Sequence, residues 1–314
     1  MNDDLTTLGE TAARSQMERR RTFYDVVHET RHLYQRTVTL SQQSLHMSPR
    51  SFEFQDVLSH QIDVEPVPQD WSVRNDYFGN ATRGMTLATP HRELVVRASS
   101  TVALHARLDE QGIAGSMPWE SMRESLLVSA GAASLEPFGY LYESPHVSKS
   151  AELATYALQS FTPGRPILEA AHDLTERIYR DFEFDSEATT ISTPLEEVLR
   201  GRRGVCQDFA HLMIGCLRTL GLACRYMSGY ILTMPPPGKP RLVGADASHA
   251  WVAVYCTGYG WIDFDPTNRR LVANEHITLG WGRDFSDVTP MRGMVLGGGA
   301  QELEVSVTVT PIPR

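Results

Sequence analysis

Three residues in the second half of this chain have the types and order that covalent acyl chemistry requires. Cys206 opens an apolar helical run, GVCQDFAHLMIGCLRTLG, and His249 and Asp265 follow on two predicted antiparallel strands, ASHAWVAVY and GWIDFDPTN. A thiol attacks an acyl carbon when a base manages its proton, and the base keeps its tautomer when a carboxylate holds its far nitrogen. Each residue also has an ordinary reading: free cysteine is usually a buried hydrophobe, a strand histidine is usually satisfied locally, and aspartate before proline often ends a strand. Position favours the chemical reading. A helix start favours a thiolate and offers unpaired backbone N–H groups to a carbonyl oxygen.

The numbering sets where the base and the carboxylate fall. A hairpin closing around Thr257 puts Tyr255 opposite Tyr259 and, continued, His249 opposite Asp265 on the same face. A two-residue slip puts Asp263 or Thr267 there instead. His211 lies about 140° around the helix from Cys206, too far to be its base, and Asp208 is likewise off that face. Both are expected to pack or hydrogen-bond at the helix start. Cys216, Cys224 and Cys256 sit in apolar runs and are expected to be core residues. Metal binding by His249, Asp265 and Asp246 is a weak alternative without HxH or HExxH spacing, so no metal and no cofactor are expected. Arg283, Asp284 and Asp287 in GRDFSD read as ion-pairing residues that could also line a cleft.

Several elements must position these groups. Residues 1–21 are a polar lead-in, and 22–110 read as a β-rich N-terminal domain with strand-like alternation in VTLSQQSLHMSP and HRELVVRASSTVAL. Residues 111–314 read as a helical segment plus a catalytic core. In it Ile167, Ala171, Leu174, Ile178 and Phe182 share one helical face. The tetrad Thr193, Pro194, Leu195, Glu196 reads as a capping box with proline at the first helical position. Gly221 suits the stop of the Cys206 helix, and a Pro/Gly-rich loop at 234–244 precedes the histidine strand as a candidate cover. Trp251, Tyr255 and Trp261 share the histidine's face, where they either pack beneath the sheet or line a channel; packing is the favoured reading.

Composition narrows the class. The chain has 314 residues, 29 basic against 38 acidic side chains and a formal net charge of −9, which argues against a nucleic-acid binder with a general basic field. Four cysteines without CxxC spacing suit a reducing compartment, and no apolar stretch suggests a signal or a membrane span, so a cytoplasmic protein without membrane partners is expected. Gly297 to Gly299 lack the lysine and hydroxyl residue of a phosphate loop.

GVCQDFAHL, SHAW and GWIDFDPTN resemble the three core motifs of the transglutaminase-like superfamily. FGN at 78–80, STPLEEVL, GADASHAW and WGRDFSDVTP extend the resemblance to bacterial two-part members, covering nearly the whole chain from Thr22. The resemblance implies an α+β fold, a papain-like core whose cysteine helix packs on an antiparallel sheet, preceded by a β-rich domain. It places the family's nucleophile on Cys206, its base on His249 and its carboxylate on Asp265. Family members include amidases, peptidases, amine-transferring crosslinkers and inactive scaffolds. The leading expectation is a hydrolase of peptide or protein amides through a thioester, with transfer to an amine as the alternative and a silent binding scaffold as the third reading.

Overall fold

The structure is a computed structural model that describes residues 21–128, 135–233 and 247–313. The first unit is built on β1 (Thr22–Leu45), whose alternation buries Tyr24, Val26, His28 and Thr30 on one face. It is followed by β2 (Gln55–Glu65), β3 (Asp70–Asn75), β4 (Ala81–Leu87) and β5 (His91–Leu104), paired in the order β2-β5-β1-β4-β3. The chain then runs through α1 (Trp119–Val128), α2 (Leu135–Phe138), α3 (Ala151–Ala157), α4 (Ile167–Asp181), β6 (Glu183–Phe184), α5 (Leu195–Gly201), β7 (Arg203–Gly204) and α6 (Cys206–Thr219). The second sheet comprises β8 (Cys224–Ile231), β9 (Ala247–Cys256), β10 (Gly260–Asp265), β11 (Arg270–Leu271) and β12 (His276–Gly282), antiparallel in the order β11-β10-β9-β8-β12. After α7 (Phe285–Val288) come β13 (Met291–Gly297) and β14 (Gln301–Ile312).

These last two strands do not stay with the second half of the chain, as a boundary at residue 110 would have them. β14 pairs with β1 from Phe23 to Tyr34, and β13 pairs with it from Val38 to Leu45. The β-rich unit is thus completed by the chain's own C-terminal hairpin. A 24-residue strand presents two edges along its whole length, and local alternation cannot say which later strand fills them.

The helical expectations hold where periodicity was their basis. Ile167, Ala171, Leu174, Ile178 and Phe182 are all buried, and α6 buries Phe209, Met213 and Cys216 before stopping at Gly221, whose φ of +80° suits glycine. The capping box at Thr193 does not form. Pro194 itself is the extended N-cap, Thr193 Oγ1 accepts from Thr190 N at 2.9 Å, and Glu196 accepts from Ser148 Oγ at 2.9 Å. The hydroxyl is committed to the preceding turn before the helix begins.

The two sheets meet along β12, the edge strand of the second. Gln55 of β2 hydrogen-bonds both the N–H and the C=O of Thr278, each at 2.8 Å. Asn80 does the same for Trp281, at 3.0 Å to its N–H and 2.8 Å to its C=O. Two buried carboxamides stand in for a sixth strand. Tyr24, Val26, Val307 and Val309 of the first sheet pack with Tyr230, Ile277 and Leu279 of the second, sealing the junction.

Candidate active site

Cys206 is the first residue of α6, and the loop before it is fixed by several short contacts. Phe184 and Gly204 pair in the parallel β6/β7 bridge. Asp208 accepts from Val205 N at 2.8 Å and from Thr189 Oγ1 at 2.6 Å, tying two approaching strands of chain to the first helical turn. Gly204 leaves room for that carboxylate, since a Cβ there would lie 2.6 Å from Asp208 Oδ2. The Cys206 side chain is partly exposed, while Cys216, Cys224 and Cys256 are buried. Burial pushes those three thiols up, Cys216 to about 12 and the others to about 11.

His249 is buried at the start of β9, close enough to Cys206 for the thiol to help raise its pKa. The imidazole Nε2 lies 2.8 Å from Asp265 Oδ2, so Nδ1 is the nitrogen left to face the thiol. The hairpin closes one residue later than predicted: Thr257, Gly258 and Tyr259 form its loop, Gly258 and Gly260 take positive φ, and Tyr255 pairs with Trp261. In this register Thr267 would be directly opposite His249. Thr267 is not on the strand, however, because β10 ends at Asp265 and the chain turns there. Asp265 is instead the diagonal neighbour of His249 on the same face, close enough for a direct hydrogen bond.

The Asp265 carboxylate is fully buried and fully used. Oδ1 accepts from the backbone N–H groups of Thr267 (2.9 Å) and Asn268 (3.1 Å), forming an Asx turn at Asp-Pro-Thr-Asn. Oδ2 takes the Asn268 amide at 2.7 Å, His249 Nε2 at 2.8 Å and His276 Nε2 at 2.8 Å. Burial alone would raise its pKa, but the hydrogen bonds from His249 and His276 reverse this and hold the carboxyl well below the usual range. Burial also opposes a charged His249. Its hydrogen bond to Asp265 and the neighbouring Cys206, with their charges, outweigh that and raise it to about 10. His276 goes the other way: burial lowers it, Asp265 offsets only part, and the charges of His249 and Arg107 add to the lowering.

His249, Asp265 and His276 offer ligand atoms within 4.8 Å of one another, a set that could in principle hold a cation. Asp265 Oδ2 already receives N–H donors from both imidazoles and from Asn268, whose amide also lies 3.3 Å from His249 Nε2. An amide N–H group aimed at the shared oxygen fits a hydrogen-bonded cluster and not a metal cage. Asp246 and the whole of the 234–244 loop lie outside the described residues.

The remaining candidates serve packing. Asp263 accepts from Arg107 Nη1 at 2.5 Å and Trp251 Nε1 at 3.0 Å, so it neutralises a buried arginine and does not reach His249's partner role. Trp251 is fully buried, and the Arg225 guanidinium lies 3.7 Å above the Trp261 ring, which also meets Tyr255. His211 accepts from Phe285 N at 3.2 Å and is driven down to about 3 by burial. Arg283 pairs with Asp287 at 2.9 Å, and Asp284 caps α7 while accepting from His146 N. His276 and Asn268 were not foreseen. The Asp-Pro-Thr-Asn run carries a turn signal that could have pointed to Asn268; nothing local points to His276.

Residues 24–103 match the family described as "Bacterial transglutaminase-like N-terminal region", and residues 155–266 match the "Transglutaminase-like superfamily". The chain belongs to the transglutaminase-like superfamily. An uncharacterized protein of Mycobacterium tuberculosis is 39% identical over 295 residues, covering 92% of each chain. A protein-glutamine gamma-glutamyltransferase of Pseudomonas aeruginosa is 36% identical over 80 residues, 25% of this chain and 12% of that one. A solved structure described as "a Putative Cysteine Protease from Cytophaga hutchinsonii" superposes with a TM-score of 0.74 at 19% identity, covering 94% of this chain and 92% of that one. That superposition shows that the two proteins share one fold through both the core and the β-rich N-terminal unit.

Proposed function

We propose that this protein is a cysteine-dependent hydrolase of peptide or other amide bonds, with Cys206 as nucleophile, His249 as acid and base, and Asp265 as the group that holds His249. The observation carrying this reading is that a partly exposed thiol at a helix start adjoins a buried imidazole which is itself hydrogen-bonded to a buried carboxylate. The Cys206 sulfur adds to the amide carbon, and the developing oxyanion meets the free N–H groups of the first turn of α6. His249 gives its proton to the departing amine, leaving a thioester on Cys206. Water then attacks the thioester while His249 takes its proton, and the acid leaves as the thiol returns.

Transfer to an amine is the second reading, and the 80-residue match to a glutamyltransferase favours it. Both reactions share the thioester and differ in what resolves it. The aromatic residues that could guide a lysine stem are engaged: Trp251 is fully buried with its N–H on Asp263, and Arg225 covers Trp261. Hydrolysis is therefore the outcome we expect. An activated acyl donor supplied with increasing primary amine should give mainly acid at millimolar amine, and Cys206→Ala should abolish both products. Amide predominating at low amine makes the protein a transferase; product formation that survives Cys206→Ala removes the thiol from the reaction altogether.

A further inference from the structure

We propose that His276 is a positioning residue of this site: it donates its Nε2 proton to the Asp265 oxygen that holds His249, and so sets the aim of the carboxylate and the share of its charge that reaches the base. The proposal rests on the reading of Cys206, His249 and Asp265 given above and concerns how the last of them is controlled. His276 is fully buried, its Nε2 is 2.8 Å from Asp265 Oδ2, and its ring centre is 5.8 Å from that of His249 and 5.2 Å from that of Trp251. A carboxylate only accepts, so Nε2 must carry the proton. His276 Nδ1 is buried with no hydrogen-bond partner among the described residues. A proton there would be an orphaned, charged donor, so the arrangement selects the neutral Nε2–H tautomer.

This contact is costly to arrange, which argues against a simple core filler. β12 stands three strands from β10, and flat sheet spacing would separate them by about 14 Å. The strand ends must therefore curl together. Gly229 lies between, paired with His249 on one side and Thr278 on the other; a Cβ there would be 2.0 Å from Ile277 O and 2.7 Å from the Trp251 ring. The missing side chain leaves the lane across which His276 reaches the carboxylate past the Trp251 ring. From the other side, the Gln55 and Asn80 amides fix β12 itself.

The charged and titrating groups acting on His276 are Asp265 from β10, His249 from β9 and Arg107 from the segment after β5. With His276 neutral, its loss as a donor concentrates the Asp265 charge on His249. The test compares His276→Gln, whose amide N–H can replace the Nε2 donor, with His276→Leu, which cannot donate. The readout is the pH dependence of Cys206 alkylation by iodoacetamide, measured beside turnover of an activated acyl donor. His276→Leu should move the alkaline limb of the Cys206/His249 pair upward by about one unit and lower kcat at least tenfold with KM held. His276→Gln should restore the wild-type profile. A folded His276→Leu protein with the wild-type profile overturns the proposal. His249→Ala is the control for the underlying reading: if it leaves the wild-type alkylation profile unchanged, His249 is not the base and both readings fall. Should His276→Leu not fold, long-range proton–nitrogen spectra of the full wild-type chain labelled at histidine, assigned with His276→Gln, decide the matter. The neutral Nε2–H tautomer from pH 5 to 9 supports the role, and an Nδ1–H tautomer or an imidazolium there overturns it.

Discussion

Asp265 accepts five hydrogen bonds on two oxygens, and this saturation is what separates it from Asp263 two residues earlier. Asp265→Asn replaces an acceptor with a group that cannot take three N–H donors on one atom, so it should lower kcat by about 10⁴, as in other triads that lose the carboxylate, while the fold survives. Asp263→Asn removes the counter-charge of buried Arg107 and should instead destabilise by about 3–5 kcal/mol, seen as a fall in the denaturant midpoint. His249 adds a pH signature. Its folded value of about 10 lies above its unfolded 6.5, so the stability it contributes is fully present below pH 6.5 and is lost as pH rises through 10. Acylation needs the same proton, so its rate should fall over the alkaline part of that window. The opposite holds for Asp265, whose contribution is present above the ordinary carboxylate range and lost in acid below it. Iodoacetamide at neutral pH should label Cys206 ahead of Cys216, Cys224 and Cys256, which are buried and held as thiols; adduct mapping by mass spectrometry gives the order.

The elements show which parts of the site the sequence made readable. The thiol helix announced itself by its period and its glycine stop. The histidine and aspartate strands did so by alternation and the Asp-Pro turn, because each signal lies within about ten residues of the group it places. The hairpin register was misjudged by two residues, since Gly258 and Gly260 allow a three-residue loop that spacing alone does not distinguish from a tighter one. His276 was out of reach for a different reason. Its partner is set by the order of strands in the sheet and by a curl that depends on Gly229, and neither leaves a mark in the residues around it. Gly229→Ala should therefore act at two places at once, pushing Ile277 from β8 and Trp251 from its seat. We expect a lower melting temperature together with loss of turnover; a protein with both intact refutes the role given to this glycine.

At the scale of the molecule, the first sheet holds β12 through Gln55 and Asn80 and is itself closed by the strands that follow the site. No helix among the described residues is long and apolar enough to cross a membrane, and the largest buried cluster packs the helices against the second sheet. Gln55→Leu strands the buried N–H of Thr278, whose C=O keeps Arg50 N at 3.3 Å, and Asn80→Leu strands the N–H and C=O of Trp281; each should cost about 1–3 kcal/mol per unpaired group, measured by chemical denaturation. The same variants should lower turnover, because β12 carries His276.

Those two amides also bear on how such proteins can be recombined. A catalytic half grafted onto a foreign β-unit would keep its thiol, imidazole and carboxylate, yet its outermost strand would present bare N–H and C=O groups to any strand edge nearby. Chimeras between relatives should avoid pairing through this edge only when the donor unit brings carboxamides at the positions of Gln55 and Asn80 in register with Thr278 and Trp281. Without that match, the open edge favours self-pairing of the chimeric chains, and the two halves are not interchangeable parts.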